Sequence, residues 1–176
     1  RSEMCIRDRH SNGYSLARYV LLEKAGLLLD AYVEDLDRTL GEELLEPTRI
    51  YAKDCLALAD ECEEHTFCHV TGGGLAGNLA RVIPTGLVAE LSRGTWVPGP
   101  IFRLIQNVGK VPQAEMEKTF NMGVGMVAVV APEDRDRALA MLTARHIDAW
   151  ELGTIRDADD LQAPGAVVLT GDHPGY

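Results

Sequence analysis

The sequence predicts an α+β domain built on a mixed β-sheet with packed helices, and three observations lead there. Residues 124–130 (VGMVAVV) are almost continuously apolar, the pattern of a strand covered on both faces. Tyr51, Cys55, Leu58 and Cys62 recur at i, i+4, i+7 and i+11, the stripe of an amphipathic helix. Short β-prone runs and helical stripes then share the chain from residue 10 to its end.

In chain order, the first nine residues (RSEMCIRDR) are mostly charged and carry no periodicity. They read as a non-native, adapter-like leader, are set outside the fold, and are expected to be dispensable for thermal stability. The domain proper is residues 10–176. After the turn-prone Ser11-Asn12-Gly13, a helix is predicted over residues 14–25, with Leu16, Tyr19 and Val20 on one face and Gly26 as its stop. The acidic stretch 34–46 reads as a solvated helix and loop ending at Pro47. The helix of the Tyr51–Cys62 stripe follows. Residues 67–71 form a β-prone run that feeds into Gly72-Gly73-Gly74, with a helix over residues 77–81.

Residues 87–91 read as a second strand. Pro98 and Pro100 open a helix whose stripe is Ile101, Leu104, Ile105 and Val108. After the 124–130 strand, Pro132 can start a helix, with Glu133 and Asp134 in its first turn and Arg145 and His146 in its last. Residues 149–155 and 166–169 are closing strands. There is no internal repeat and no linker, so the reading is a single domain.

Composition narrows the class. Seventeen basic against 27 acidic side chains give a net charge of −10. That argues against a nucleic-acid partner, whose phosphates demand a basic surface, and against a polybasic membrane anchor. Charged residues interrupt every stretch well before the ~18 apolar residues of a membrane span. No secretory pattern opens the chain. Four cysteines are too few to staple a chain of this length, which suits a reducing compartment and a cytoplasmic location.

The strongest chemical feature is HVTGGGLAGNLARVIP, residues 69–84. Three glycines between a strand and a helix allow positive φ and a close backbone approach to a ligand. The helix start favours a phosphate, to which Thr71, Asn78 and Arg81 add a hydroxyl, an amide and a charge. The bland alternative is a tight turn. No Lys-Ser/Thr pair follows the glycines, so this is not a Walker loop, and the acidic partner of a dinucleotide fingerprint is missing. HSNGYSL (residues 10–16) offers a second polar cluster, with an N-cap and turn as its structural reading. TFNMGVGM (residues 119–126) places Asn121 and two glycines before the buried strand. Cys62, His65, Cys68 and His69 superficially resemble zinc ligands, but strand neighbours point to opposite faces and no Cys-x-x-Cys pair is present. No metal site is expected, and no nucleophile triad can be assembled.

Taken in order, HSNGYSL, LLEPTRIY (residues 44–51), HVTGGG with NLARVIP, and TFNMGVGM resemble the C-terminal half of phosphoribosylformylglycinamidine cyclo-ligase, also called aminoimidazole ribonucleotide synthetase. The resemblance runs from residue 10 to about 169. It implies an N-terminal ATP-binding and dimerisation domain that is absent from this chain, and a homodimer for the full-length protein. It further implies a small-molecule ribonucleotide substrate, with ATP and Mg²⁺ bound mostly by that missing domain. The implied reaction is ATP-dependent closure of formylglycinamidine ribonucleotide to aminoimidazole ribonucleotide, in purine biosynthesis, with the fragment inactive alone. His10, His69 and Asn12 are the implied catalytic set, the histidines polarising or shuttling a proton. Ser11, Thr71, Gly72, Gly73, Gly74, Asn78, Arg81 and Asn121 are the implied substrate- and phosphate-binding set. The alternatives are a relative of the thiamine-monophosphate kinase or selenophosphate synthetase type, and a non-catalytic phosphate-binding module.

Overall fold

A computed structural model describes the backbone of residues 2–7 and all of residues 12–158 and 166–176. Eight strands and seven α-helices are described. The long sheet has the order β4-β6-β1-β7-β5-β8, where β1 is Ser2–Arg7, β4 Glu64–His69, β5 Leu87–Ser92, β6 Val124–Val130, β7 Ala149–Asp157 and β8 Ala166–Thr170. All its pairs are antiparallel except β5 with β8, so the sheet is mixed, as the sequence predicts.

Each face of the sheet has its own core, and alternation along the strands decides which side chain goes where. On one face Cys68, Val70, Val127, Val129 and Leu152 meet Leu75 and Leu79 of α4 (Gly74–Leu79). On the other, Ala128 and Val130 meet Leu58 of α3 (Ala52–Glu61) and Ala138 and Leu142 of α7 (Arg135–Ala144). The helical stripe read from Tyr51 to Cys62 is therefore the buried side of α3. A third core, mostly of helices and loops, gathers Ala17 of α1 (Tyr14–Arg18), Val20 and Leu21 just beyond it, and Leu40, Phe102, Ile105 and Met116 from α2 (Leu40–Leu44), α5 (Pro100–Gly109) and α6 (Gln113–Thr119). The helix predicted over residues 14–25 is present, but beyond Arg18 it widens into a π-helix, Tyr19–Lys24, with the Ala25 N–H donating to the Val20 carbonyl at 3.0 Å.

Four expectations change. The segment Ser2–Arg7, read as outside the fold, lies in the middle of the sheet with β6 on one side and β7 on the other. Strand pairing uses backbone groups, which a charged and non-alternating segment supplies as well as any other. Removing it would bare the facing edges of β6 and β7. The acidic stretch 34–46 is not merely solvated: β2 (Tyr32–Val33) and β3 (Arg38–Thr39) form a small hairpin, and Leu36, Leu40 and Glu43 are buried. α4 begins at Gly74, three residues earlier than predicted. Finally α6, which the sequence reading left unassigned, packs Met116 into the helical core.

Candidate functional site

The glycine-rich loop links the end of β4 to α4, and its shape is fixed mainly by its own side chains. Gly73 and Gly74 adopt φ of 103° and 70°, which an L-residue resists. A Cβ on Gly74 would come within 1.7 Å of the Glu117 carbonyl oxygen, so only glycine lets the loop lie against α6. Asn78 is 5% exposed and points back under the loop. Its Nδ2 donates to the carbonyls of Thr71 (3.1 Å), Gly72 (3.3 Å) and Gly74 (2.7 Å), while Thr71 Oγ1 donates to Asn78 Oδ1 at 3.1 Å.

Part of the loop's donor capacity is engaged by the protein itself. The Gly73 N–H donates to Lys118 O and the Gly74 N–H to Thr71 O, both at 3.1 Å. Two of the three amides are thus engaged by protein, and the Asn78 amide and Thr71 hydroxyl shape the loop. Arg81 is different. A Cβ built on Gly73 would sit 3.6 Å from Asn78 Nδ2 and 3.7 Å from Arg81 Nη2, so the exposed side chain of Arg81 reaches the loop beside Asn78.

The other singled-out residues divide. His10 and Ser11 lie outside the described residues. Asn12 donates from Nδ2 to Val70 O at 3.2 Å, which ties HSNGYSL to the strand end just before the glycines. His69 is exposed and meets Tyr51 edge-on at 6.1 Å. Its ring therefore lies on the α3 face of the sheet, opposite α4. Asn121 is buried, with Oδ1 accepting from Gly123 N–H at 3.0 Å, and shapes the turn into β6. Cys62 and Cys68 are buried in the cores of opposite faces, so the zinc-like set does not converge.

Two adjoining depressions complete the region. An apolar pocket is lined by Asn12, Tyr14, Ala17, Ile105 and Phe120. Next to it, a groove of about 640 Å³ is lined by Pro47, Thr48, Arg49, Pro100, Gly123 and Asp148. Glu46, Ile101 and Phe102 border both. The sequence motifs thus meet here: Asn12 from HSNGYSL, Thr48 and Arg49 from PTRIY, and Gly123 from TFNMGVGM. Arg49 and Asp148 were not singled out. PTRIY carried the signal for Arg49, whose Nη2 donates to His146 O at 3.1 Å, whereas no local pattern marks Asp148.

Residues 7–164 match the family described as AIR synthase related protein, C-terminal domain. The chain belongs to that family. It is 58% identical over 171 residues to a putative phosphoribosylformylglycinamidine cyclo-ligase of Streptomyces fradiae, covering 97% of this chain and 94% of that one. It is 52% identical over 146 residues to the phosphoribosylformylglycinamidine cyclo-ligase of Myxococcus xanthus, covering 83% of this chain but only 42% of that relative. The chain therefore spans less than half of the longer relatives it matches. In three dimensions it is similar to thiamine-monophosphate kinase from Stenotrophomonas maltophilia, with a TM-score of 0.63 and 15% identity over 97% of this chain and 50% of that one. At that identity the likeness shows the shared fold, and it places this AIR synthase C-terminal domain in the α+β architecture expected from sequence. Among the described residues, no helix is long and apolar enough to cross a membrane.

Proposed function

We propose that this chain is the C-terminal half of a phosphoribosylformylglycinamidine cyclo-ligase and works only together with an N-terminal half. The observation that carries the proposal is the combination of 52% identity to the Myxococcus xanthus relative with coverage of 42% of its length. The kinase-type alternative has the fold in its favour but only 15% identity, and the non-catalytic module has no supporting observation.

In this reading ATP transfers its γ-phosphoryl group to the formamide oxygen of formylglycinamidine ribonucleotide. The amidine nitrogen attacks the activated carbon, the ring closes, and phosphate departs as the C–O bond breaks. Such chemistry asks the protein for positioning and charge stabilisation above all. On this chain, Arg81 beside the glycine loop supplies a cation for a phosphate. The groove of Thr48, Arg49 and Asp148 offers polar groups for the remainder of the ribonucleotide. Asn12 bridges the two regions. His10, Ser11 and His69 keep the roles that the family resemblance implies, and His69 lies on the α3 face of β4. Among the described residues no cluster of three or more His, Cys, Asp or Glu suits a metal ion. In this reading, as the family resemblance implies, Mg²⁺, most of the ATP site and the homodimer contact belong to the other half.

The test is a chimera. The full 176-residue chain is joined to the N-terminal half of the Myxococcus xanthus relative and assayed with formylglycinamidine ribonucleotide, ATP and Mg²⁺. ADP release and ring closure are expected from the chimera, with none from the 176-residue chain alone. Turnover by the isolated chain, or a folded chimera without turnover, overturns the reading.

A further inference from the structure

The family resemblance runs only to about residue 169, yet the residues after β8 fold back onto the domain. Arg93, in the short turn after β5, donates from Nη1 to Leu169 O (2.9 Å) and Gly171 O (3.3 Å). Arg103 donates to Gly175 O at 3.1 Å. His173 is driven inward until its side chain is 1% exposed, with its ring edge-on to Trp96 at 4.5 Å and to Tyr176 at 5.6 Å. His173 Nε2 and the Tyr176 hydroxyl are buried with no hydrogen-bond partner among the described residues. Such groups are costly to bury, so their docking needs a compensating purpose.

The group in front of His173 is Glu117, with Oε1 at 3.8 Å from Nε2. Arg93 grips Glu117 through Nε (2.7 Å) and Nη2 (2.9 Å), and Gln113 donates to it at 2.9 Å. Glu117 and Lys118 are the residues whose carbonyls meet the glycine loop, at Gly74 and at the Gly73 N–H. A contiguous set of contacts thus runs from the chain's last six residues through one carboxylate to the loop.

We propose that Glu117 is a positioning residue for the glycine-rich loop, and that residues 171–176 are the latch that holds it. The consequence for ligand binding rests on reading the loop as the phosphate-facing edge of the site; the mechanical claim does not. His173 is faced by Glu117 from α6, by Arg93 and Trp96 from the turn after β5, and by Tyr176 from its own segment. Asp172 acts on Arg93, and Arg103 on Tyr176. Burial holds the imidazole below its ordinary value of 6.5, while Glu117 partly opposes it. The docked latch therefore keeps His173 neutral. Its contribution is fully present above pH 6.5 and is lost as pH falls through the lower folded value.

The test is amide exchange on the ligand-free chain, corrected for intrinsic rates. In a chain ending at Thr170, protection at residues 72–79 is expected to fall by about 10-fold while β6 stays protected. Glu117→Ala is expected to do the same, and Glu117→Gln, which keeps an acceptor oxygen, to restore part of it. Lowering the pH below 6.5 should loosen the loop in the wild-type chain but not in His173→Phe, which keeps the ring packing and removes the titration. Unchanged loop protection in the shortened chain and in Glu117→Ala overturns the proposal. So does a loss spread equally over β6, which would make the segment ordinary core. If the shortened chain does not fold, the Glu117 pair and the pH profile of His173→Phe decide it. Because no ligand is present, these results and the chimera assay fail independently.

Discussion

Two polar clusters meet at Gly74, and they are built on opposite plans. The glycine loop is largely local: apart from the Gly73 N–H, which donates to Lys118 O, its side-chain hydrogen bonds run between Thr71, Asn78 and the backbone between them, all neutral groups. The Arg93–Glu117–His173 cluster is assembled from three distant stretches and rests on charge. Burial works to raise the Glu117 carboxyl, but hydrogen bonds from Arg93 and Gln113, with the Arg93 charge, hold it below the ordinary carboxylate range. Burial first, with a smaller push from the Glu117 charge and against that of Arg103, raises Tyr176 to about 12. A neutral local network keeps its shape across pH, whereas a charged and partly unsatisfied one can be released. The molecule joins a fixed loop to a releasable support.

The sharpest way to break that comparison is to attack the contact both clusters share. Gly74→Ala forces a Cβ into the Glu117 carbonyl at positive φ, and should destabilise the chain by about 3 kcal/mol in denaturant unfolding. A change below about 1 kcal/mol would show that the loop and α6 are not tightly joined. Asn78→Asp tests the local network alone. It preserves shape but removes the three donated hydrogen bonds and aims a carboxylate at three carbonyls, for an expected loss of about 2 kcal/mol that grows with pH as the acid ionises. A variant as stable as wild type at neutral pH would show that the loop holds itself without Asn78. The smallest effect belongs to Thr71→Val, which loses one half-buried hydroxyl hydrogen bond and should cost about 1 kcal/mol by thermal unfolding, with no pH dependence.

Much of the fold was legible because burial writes periodicity into sequence. The run Val124–Val130 and the stripes on α3 and α5 were read correctly for that reason. α6 was missed because only Met116 of its seven residues is buried, so it carries no stripe. β1 was missed because backbone pairing asks nothing of side-chain alternation. In the site, the spacing brings the glycines, Thr71, Asn78 and Arg81 to one loop. It does not record the hydrogen bonds by which Asn78 and the Gly73 and Gly74 amides hold that loop in shape. Glu117 was invisible. Its partners Arg93 and His173 come from other segments, and no local motif in the sequence records an encounter made by folding.

The strand order β4-β6-β1-β7-β5-β8 contains no hairpin: no two neighbours in the long sheet are consecutive along the chain. Every pairing must therefore close a long stretch of intervening polypeptide before it is rewarded, which places such topologies in the millisecond-to-second range rather than the microsecond one, roughly. As the chain leaves the ribosome, the first pairs that can form in that sheet are β1 with β6 and β4 with β6, once Val130 has emerged. β5 and the other edge of β1 must wait for β7, which ends at Asp157. During that interval the β7-facing edge of β1 is open to other nascent chains. Slower synthesis or a chaperone that shields this segment should raise the soluble yield more than any substitution that merely deepens native stability.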